Sequence, residues 1–531
     1  MALFSIHFIV FMIVTTIVFY TVAGRYQWIC LLAASMYFYF VSGGAAAMIF
    51  IFVTACSTYY AALRIDEVTQ KYKADAKREG ITREEKKALR SAADKVKRRW
   101  MIAALLINFG ILVVLKYGAF AVSNIDALLE RTGVAARMPV PAFILPLGIS
   151  FYTFQSMGYL IDVQRGKYEA DRHFWKFLLF VSYFPQMIQG PIGRYDKLAH
   201  QLTAEHKWDD LQLREGFLRM LWGFFKKIVI AERLAIIVSE VFTNHREYSG
   251  FVIFGGVFLY GLQIYADFSG GMDIIIGASQ ILGVKMSENF RQPFFAGSVS
   301  EFWQRWHMTL GAWMKDYIFY SITFSGWFAS LQKRLRRSLG RYYGKIVPTC
   351  IASFIVFTIV GIWHGANWKY LVYGFYHAVF VFSDTLLERV FERQRQFFHV
   401  NVKAFGWKMF RILRTILIVT FGRYLSRAES VRHAFAMYRE TFRSFNPWVL
   451  TDGTFYRLGV SERNCHMLLL AVLLLAAVDI LNENGIVVRT VIARQDVVTR
   501  WVVMLSAIAA VLILGTYGEG FEASAFIYQF F

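Results

Sequence analysis

Long apolar runs, each close to the length of a bilayer crossing, recur from one end of this chain to the other. A helix needs about 20 mainly apolar residues to cross the hydrocarbon core. A soluble core has no use for so many such runs in series. Candidate spans fall at 6–23, 27–41, 44–63, 101–121, 142–161, 174–192, 215–238, 250–267, 347–363, 366–385, 406–422, 465–481 and 499–516. Several are short or interrupted by Gly and Pro, so the pattern predicts about 10–13 transmembrane helices. Non-helical backbone at membrane depth is tolerated only inside protein or lining a cavity. The interruptions therefore predict re-entrant or interfacial helices around an internal chamber. The fold class is an all-α polytopic integral membrane protein, read as a single membrane domain over residues 1–531.

Composition agrees. The chain is 56% hydrophobic, with a mean hydropathy of +0.41, against about 45–50% apolar for soluble chains. Net charge is +21. Most of the basic excess lies in loops between apolar runs, which fits cytoplasmic loop charge and argues against nucleic acid as a partner. The expected partner is the bilayer. Cys30, Cys56, Cys350 and Cys465 are scattered in or beside apolar runs, with no disulfide or metal spacing. No residue cluster has zinc-ligand spacing, so no metal is expected. The N-terminal run lacks a basic start and a small-residue cleavage site, and reads as a first span rather than a signal peptide.

The longest polar stretch, 64–100, interleaves Lys and Arg with acidic residues at near-helical spacing. It reads as a solvated cytoplasmic helix. Three spans precede it, which puts the N-terminus outside. A second basic stretch, 333–345, is also expected in the cytoplasm. It serves either topology alone or the docking of an acidic carrier protein or phosphate-bearing acyl donor. Residues 284–320 are amphipathic, aromatic and too charged for an ordinary span, which predicts a re-entrant or interfacial helix pair. If 302–316 is helical, Trp303, Trp306, Leu310 and Trp313 share one face, and Gly311 leaves room beside His307.

His307, in EFWQRWHMTLGAW, and His364, in GIWHGANW, sit in aromatic surroundings within the most apolar part of the chain. An imidazole at membrane depth is expensive and usually faces the protein interior or a water-filled cavity. A lone one reads as a structural hydrogen-bonding group. Two of them in such settings point to a reaction centre. In DFSGGMD, Asp267 and Asp273 are either helix-end packing groups or polar groups lining a chamber. Arg305 either pairs with Glu301, one turn back, or meets an anionic donor.

In order along the chain come LPLGISFYTFQSMGYLIDVQRG (145–166), YFPQMIQGPIGRYD (183–196), YADFSGGMDIIIG (265–277), ENFRQPFFAGSVSEFWQRWHMTLGAWMKDYIFY (288–320) and GIWHGANWKYLVYGFYHA (361–378). This series resembles the membrane-bound O-acyltransferases, on the branch of alginate O-acetyltransferase and teichoic-acid D-alanyl transferase. The core motifs cover 140–380, and the closing FIYQFF (526–531) is similar to the aromatic tail of alginate-type members. The spans across 400–531 also look alginate-like, whereas YSITFSGW lacks the Gly-Gly-Asn turn of that type and looks more like the D-alanyl side.

The resemblance implies a ring of helices around a central tunnel, with His364 and His307 as catalytic residues. Asn367, Arg305, Asp267, Asp273, Trp303 and Trp306 are the tunnel candidates. His377, in GFYHA, also matches the family pattern and is read as structural. Acyl transfer to a hydroxyl needs a base, oxyanion stabilisation and exclusion of water. His364 would take the hydroxyl proton, with Gly361 and Gly365 letting a chain-like substrate approach. Asn367 would donate to the acyl carbonyl or orient a substrate. His307 would polarise the thioester carbonyl or orient the acceptor. The implied activity moves a short acyl group, acetyl first and D-alanyl second, to hydroxyls of an extracytoplasmic polysaccharide or teichoic-type polymer. The donor is a cytoplasmic thioester, acyl-CoA or acyl carrier protein, acting as co-substrate, with no bound cofactor. The site of action is the bacterial inner membrane. The competing reading is an acyl-relay channel serving a separate extracytoplasmic transferase; a third is a structural scaffold.

Overall fold

A computed structural model describes residues 3, 5–22, 24–134, 137–140 and 145–516. The FIYQFF tail lies outside the described residues. The chain forms two compact units, Met1–Gly216 with Ile275–Ser287, and Phe217–Ile274 with Glu288–Phe531. Among the described residues the regular structure is helical, with one isolated antiparallel bridge between Phe290 and Trp306.

In the first unit, α1 (Ile6–Thr21) starts where the Ser5 hydroxyl accepts the Phe8 N–H. α2 (Gln27–Asp75) is bent at Gly44, which has φ 73°, between the two spans read there from sequence. Its polar end and the start of α3 (Arg83–Arg131) carry the basic 64–100 stretch. That stretch is therefore the tip of a helical hairpin rather than one helix. A reciprocal capping box, with the Thr82 side chain and Glu85 each bonding the other's backbone, begins the second arm. α4 (Ile149–Gln164) is buried along nearly its whole length. Gly148 precedes it at φ 71°, and a Cβ there would stand 2.0 Å from the Met187 carbonyl oxygen. Only glycine fits that corner of the LPLGIS motif. α5 (Phe174–Ser182) is stitched to α4 by the Gln155 side-chain amide, which donates to the Phe180 carbonyl.

In the second unit, the end of α6 (Asp210–Phe224) runs through a π-helical stretch, Phe225–Ala231, into α7 (Glu232–Thr243). It crosses α8 (Phe251–Ile281) closely. A Cβ on Gly223 would sit 2.6 Å from the Gly270 oxygen, and one on Gly270 would sit 2.9 Å from the Gly223 oxygen. Small residues at a crossing let membrane helices approach this closely. The wide turn presents two successive lysines to α8. Lys227 reaches Asp267 at 2.6 Å and Glu232 at 2.7 Å. Lys226 reaches Asp273 at 2.6 Å, and Arg219 reaches the same carboxylate at 2.8 Å. Asp267 and Asp273 thus hold helices together.

Two short helices follow, α9 (Val299–Arg305) and α10 (Met308–Met314). Then come α11 (Gly326–His364), bent at Gly340, α12 (Trp368–Leu386), α13 (Phe405–Arg427) and α14 (Val431–Arg443). α15 (Glu462–Glu483) and α16 (Val497–Leu514) complete the unit.

Six helices among the described residues are long and apolar enough to cross a membrane, or seven if the bent pair Trp368–Leu386 and Glu388–Phe397 counts as one span. This is fewer than the apolar runs predicted. The run at 174–192 is broken between Ser182 and Phe184, and 215–238 carries the two lysines. α1 is only 16 residues long, and the two helical segments that meet at the Gly44 kink are counted once. Apolarity alone does not separate a helix that meets lipid from one buried by its neighbours.

Lys227→Met removes the cation that faces two buried carboxylates. Breaking a buried pair from one side costs about 3–5 kcal/mol. Lys227→Met is expected to lower the unfolding temperature in detergent and the level of protein in the membrane, whereas Lys227→Arg is expected to keep most of both.

Candidate active site

α9 begins at a Ser298 cap, whose hydroxyl accepts the Glu301 N–H, and ends at Arg305. The expected continuous helix over 302–316 is absent. Trp306 is extended, with φ −105° and ψ 128°, and His307 is left-handed, with φ 47° and ψ 51°, before α10 resumes. The cause is a partner segment. The Arg291 N–H donates to the Arg305 carbonyl, and the Met308 N–H donates to the Asn289 carbonyl, both at 3.0 Å. Those bonds replace the helical ones lost at the break. A non-glycine residue in the left-handed region is strained by about 1–2 kcal/mol, and such strain gathers at functional sites.

The break buries His307 to 3% exposure. Its ring packs edge-on to Phe268, with centroids 4.9 Å apart, and lies 5.8 Å from Trp363. Phe290 stands edge-on to both Trp306 and Phe268. On the polar side, Asn289 Oδ1 lies 3.3 Å from His307 Nδ1 and also receives the N–H and hydroxyl of Thr309.

His364 is the last residue of α11, and is buried at 7% exposure. Tyr370 and Tyr373 of α12 flank its ring, at 6.3 and 5.9 Å between centroids. The two glycines around it serve helix packing. A Cβ on Gly361 would sit 2.5 Å from the Tyr370 carbonyl, and one on Gly365 would sit 2.5 Å from the Tyr370 ring. The space given to substrate in the sequence reading is filled by α12.

His364 and Trp306 line two cavities at once. One, of about 610 Å³, runs along Trp303, His307, Met308, Leu310 and Gly311 of the broken segment and Val356, Phe357 and Val360 of α11. The other, of about 20 Å³, is walled by Tyr260, Tyr370, Tyr373, Arg423 and Ser426. Arg423 is 4% exposed. Its guanidinium lies 5.6 and 5.7 Å from the ring centres of Phe294 and Trp306.

His307, His364, Trp303 and Trp306 thus come together. Four other sequence-derived residues stand outside both cavity linings. Arg305 is tied to Glu301 at 2.8 Å and to Glu483 at 2.7 Å. Asp267 and Asp273 hold the lysines of the π-helical turn. Asn367 caps α12, with its oxygen accepting the Lys369 N–H and its amide donating to the Glu429 carbonyl. His377 is fully buried under Trp303, 4.9 Å away. Sequence reasoning passed over Asn289, Tyr370, Tyr373 and Arg423. An arginine at the end of the 406–422 apolar run was the available signal for the last.

A family model for MBOAT, the membrane-bound O-acyltransferase family, matches residues 38–426. The chain belongs to this family. Among its relatives, this MBOAT chain is 33% identical over 359 residues to the probable alginate O-acetylase AlgI of Pseudomonas syringae pv. tomato, a match covering 67% of this chain and 63% of that protein. It is 28% identical over 366 residues to the peptidoglycan O-acetyltransferase of Helicobacter pylori, covering 64% and 63% of the two chains. It is 27% identical over 293 residues to the teichoic acid D-alanyltransferase of Bacillus subtilis, covering 54% and 70%. The chain spans less than two thirds of the length of the Pseudomonas relative. All the cavity-lining residues named above fall within the MBOAT match.

The left-handed geometry of His307 sets a direction for its variants. Both His307→Gly and His307→Ala remove the imidazole, but only glycine occupies φ 47° without strain. The glycine variant is expected to be about 1–2 kcal/mol more stable than the alanine variant, read as a higher unfolding temperature of the detergent-solubilised proteins.

Proposed function

We propose that this MBOAT protein is an O-acyltransferase that moves a short acyl group from a thioester to the hydroxyls of an extracytoplasmic polysaccharide or teichoic-type polymer, the two units serving as one membrane domain. The observation that carries this reading is the position of His364, shared by an elongated cavity and a small polar one. In the larger cavity an acyl chain and its thioester would meet Trp303, Trp306 and Met308. The smaller one offers tyrosine hydroxyls and a guanidinium beside the same imidazole.

Transfer is direct. The acceptor oxygen attacks the thioester carbonyl, the C–O bond forms, the C–S bond breaks, and the hydroxyl proton passes to His364 and then to the leaving thiolate. General-base help of this kind is worth about 10²–10⁴-fold. His307, facing the same cavity, polarises the carbonyl or orients the hydroxyl. Burial of both rings excludes the water that would hydrolyse the thioester.

The length of α11 supports an acceptor on the far side of the membrane. The basic stretch ends at Lys345 and the helix at His364. At about 1.5 Å per residue these are about 29 Å apart, close to the hydrocarbon thickness. With basic loops facing the cytoplasm, the thioester donor, acyl-CoA or acyl carrier protein, approaches from the Lys345 end, and His364 lies near the opposite face of the inner membrane. The basic surface at 333–345 suits a phosphate-bearing donor or an acidic carrier. Acetyl is the preferred group, since the relatives named as O-acetylases are the more similar ones. D-alanyl is the alternative. A separate extracytoplasmic transferase belongs to the relay reading.

The test compares envelope polymer from a deletion strain, the wild-type complement and a His364→Ala complement. Alkali-labile acyl groups are released and identified by mass spectrometry. His364→Ala is expected to lose at least about a hundredfold of one acid, with normal protein in the membrane. An unchanged ester level in that variant would transfer the chemistry to another protein and leave this one as a relay.

A further inference from the structure

We propose that Asn289 is a positioning residue that fixes the tautomer of His307, placing the ring proton on Nδ1 and making Nε2 the accepting nitrogen. The inference rests on the acyl-transfer reading and decides between the two roles left to His307.

Asn289 is 1% exposed, and its side-chain oxygen is identified by what surrounds it. The Thr309 backbone N–H points at it from 3.0 Å. A backbone N–H only donates, so the atom it faces is the amide oxygen and not the NH₂ group. The NH₂ group lies at the other end, 3.5 Å from the Met272 sulfur, a weak acceptor. His307 Nδ1 therefore faces an acceptor, at 3.3 Å. In a neutral imidazole one nitrogen donates and the other accepts, and the partner of one sets the state of both. Nδ1 carries the proton and Nε2 the lone pair.

The same residue also holds the backbone at the break, because its carbonyl receives the Met308 N–H. Main chain and side chain of Asn289 thus fix both the position of His307 and its protonation pattern. A neutral ring with an accepting Nε2 has no proton there to give to a thioester carbonyl. It instead accepts a hydrogen bond from a second, non-reacting donor group of the acceptor and so orients the attacking oxygen, while His364 takes that oxygen's only proton.

The test uses the full-length protein with ¹⁵N-labelled histidine in lipid nanodiscs. The His307 signals are assigned by difference with His307→Gln. The wild type is expected to show a protonated Nδ1 and an unprotonated Nε2. Asn289→Leu, of similar shape with no acceptor, is expected to lose this fixed pattern and up to about a hundredfold of the envelope ester. Asn289→Asp keeps an acceptor in place and is expected to keep the Nδ1 proton and measurable ester. A proton on Nε2 in the wild type overturns the proposal. So does an Asn289→Leu protein that keeps both the wild-type pattern and the wild-type ester. If Asn289→Leu does not accumulate, the wild-type and Asn289→Asp spectra decide. Wild-type ester in the His307→Gln strain would instead remove His307 from the reaction, an outcome the tautomer signature does not depend on.

Discussion

Every polar group that a chain carries into hydrocarbon needs a partner within the protein, and this requirement organises the second unit. The π-helical stretch exists where two lysines must face two aspartates across a Gly-to-Gly crossing. The helical break at Trp306–His307 exists where a neighbouring segment, Asn289–Arg291, supplies the backbone partners that a continuous helix would have supplied itself. Remove either set of partners and the feature it supports is left with unsatisfied polar groups.

The proposed chemistry then sits where regular structure stops. A residue in the middle of a helix has its side chain committed to one face. His364 ends α11, and His307 stands between two short helices, so each ring can turn into space that its neighbours leave open. Aromatic walls hold the rings: Phe268 and Trp363 about His307, Tyr370 and Tyr373 about His364. The polar residues that the sequence placed in a tunnel mostly brace this frame. Arg305 ties the broken segment to α15, and Asn367 caps the helix that begins just after His364.

How much of this was legible in the sequence follows from the range of each interaction. Apolar runs gave the membrane class, and a local series of motifs gave the family and the two histidines. The cap at Asn367 is local too, being the common preference for asparagine before a first turn. The partners of Asp267 and Asp273 lie on another helix, and no spacing rule reaches them. The helix expected over 302–316 has adequate propensity throughout. Its interruption depends on residues 289–291, which a window around His307 does not contain. Gly361 and Gly365 show the opposite error. Their smallness was visible, but whether substrate or α12 used the space was a matter of tertiary packing. The number of apolar runs exceeds the number of long apolar helices for a related reason, since a run buried by protein and a run bathed in lipid have similar composition.

A chamber reaching into a membrane protein is also an electrical hazard, because a continuous file of water conducts protons down the potential across the bilayer. Trp306 and His364 stand between the two cavities, and the smaller one has room for about a single water. The wall that divides the cavities is thus made partly of the group assigned the proton transfer. On the proposed reading, insulation and chemistry would share these two side chains, so a change that enlarges the passage for a bulkier substrate would also thin the wall between the cavities.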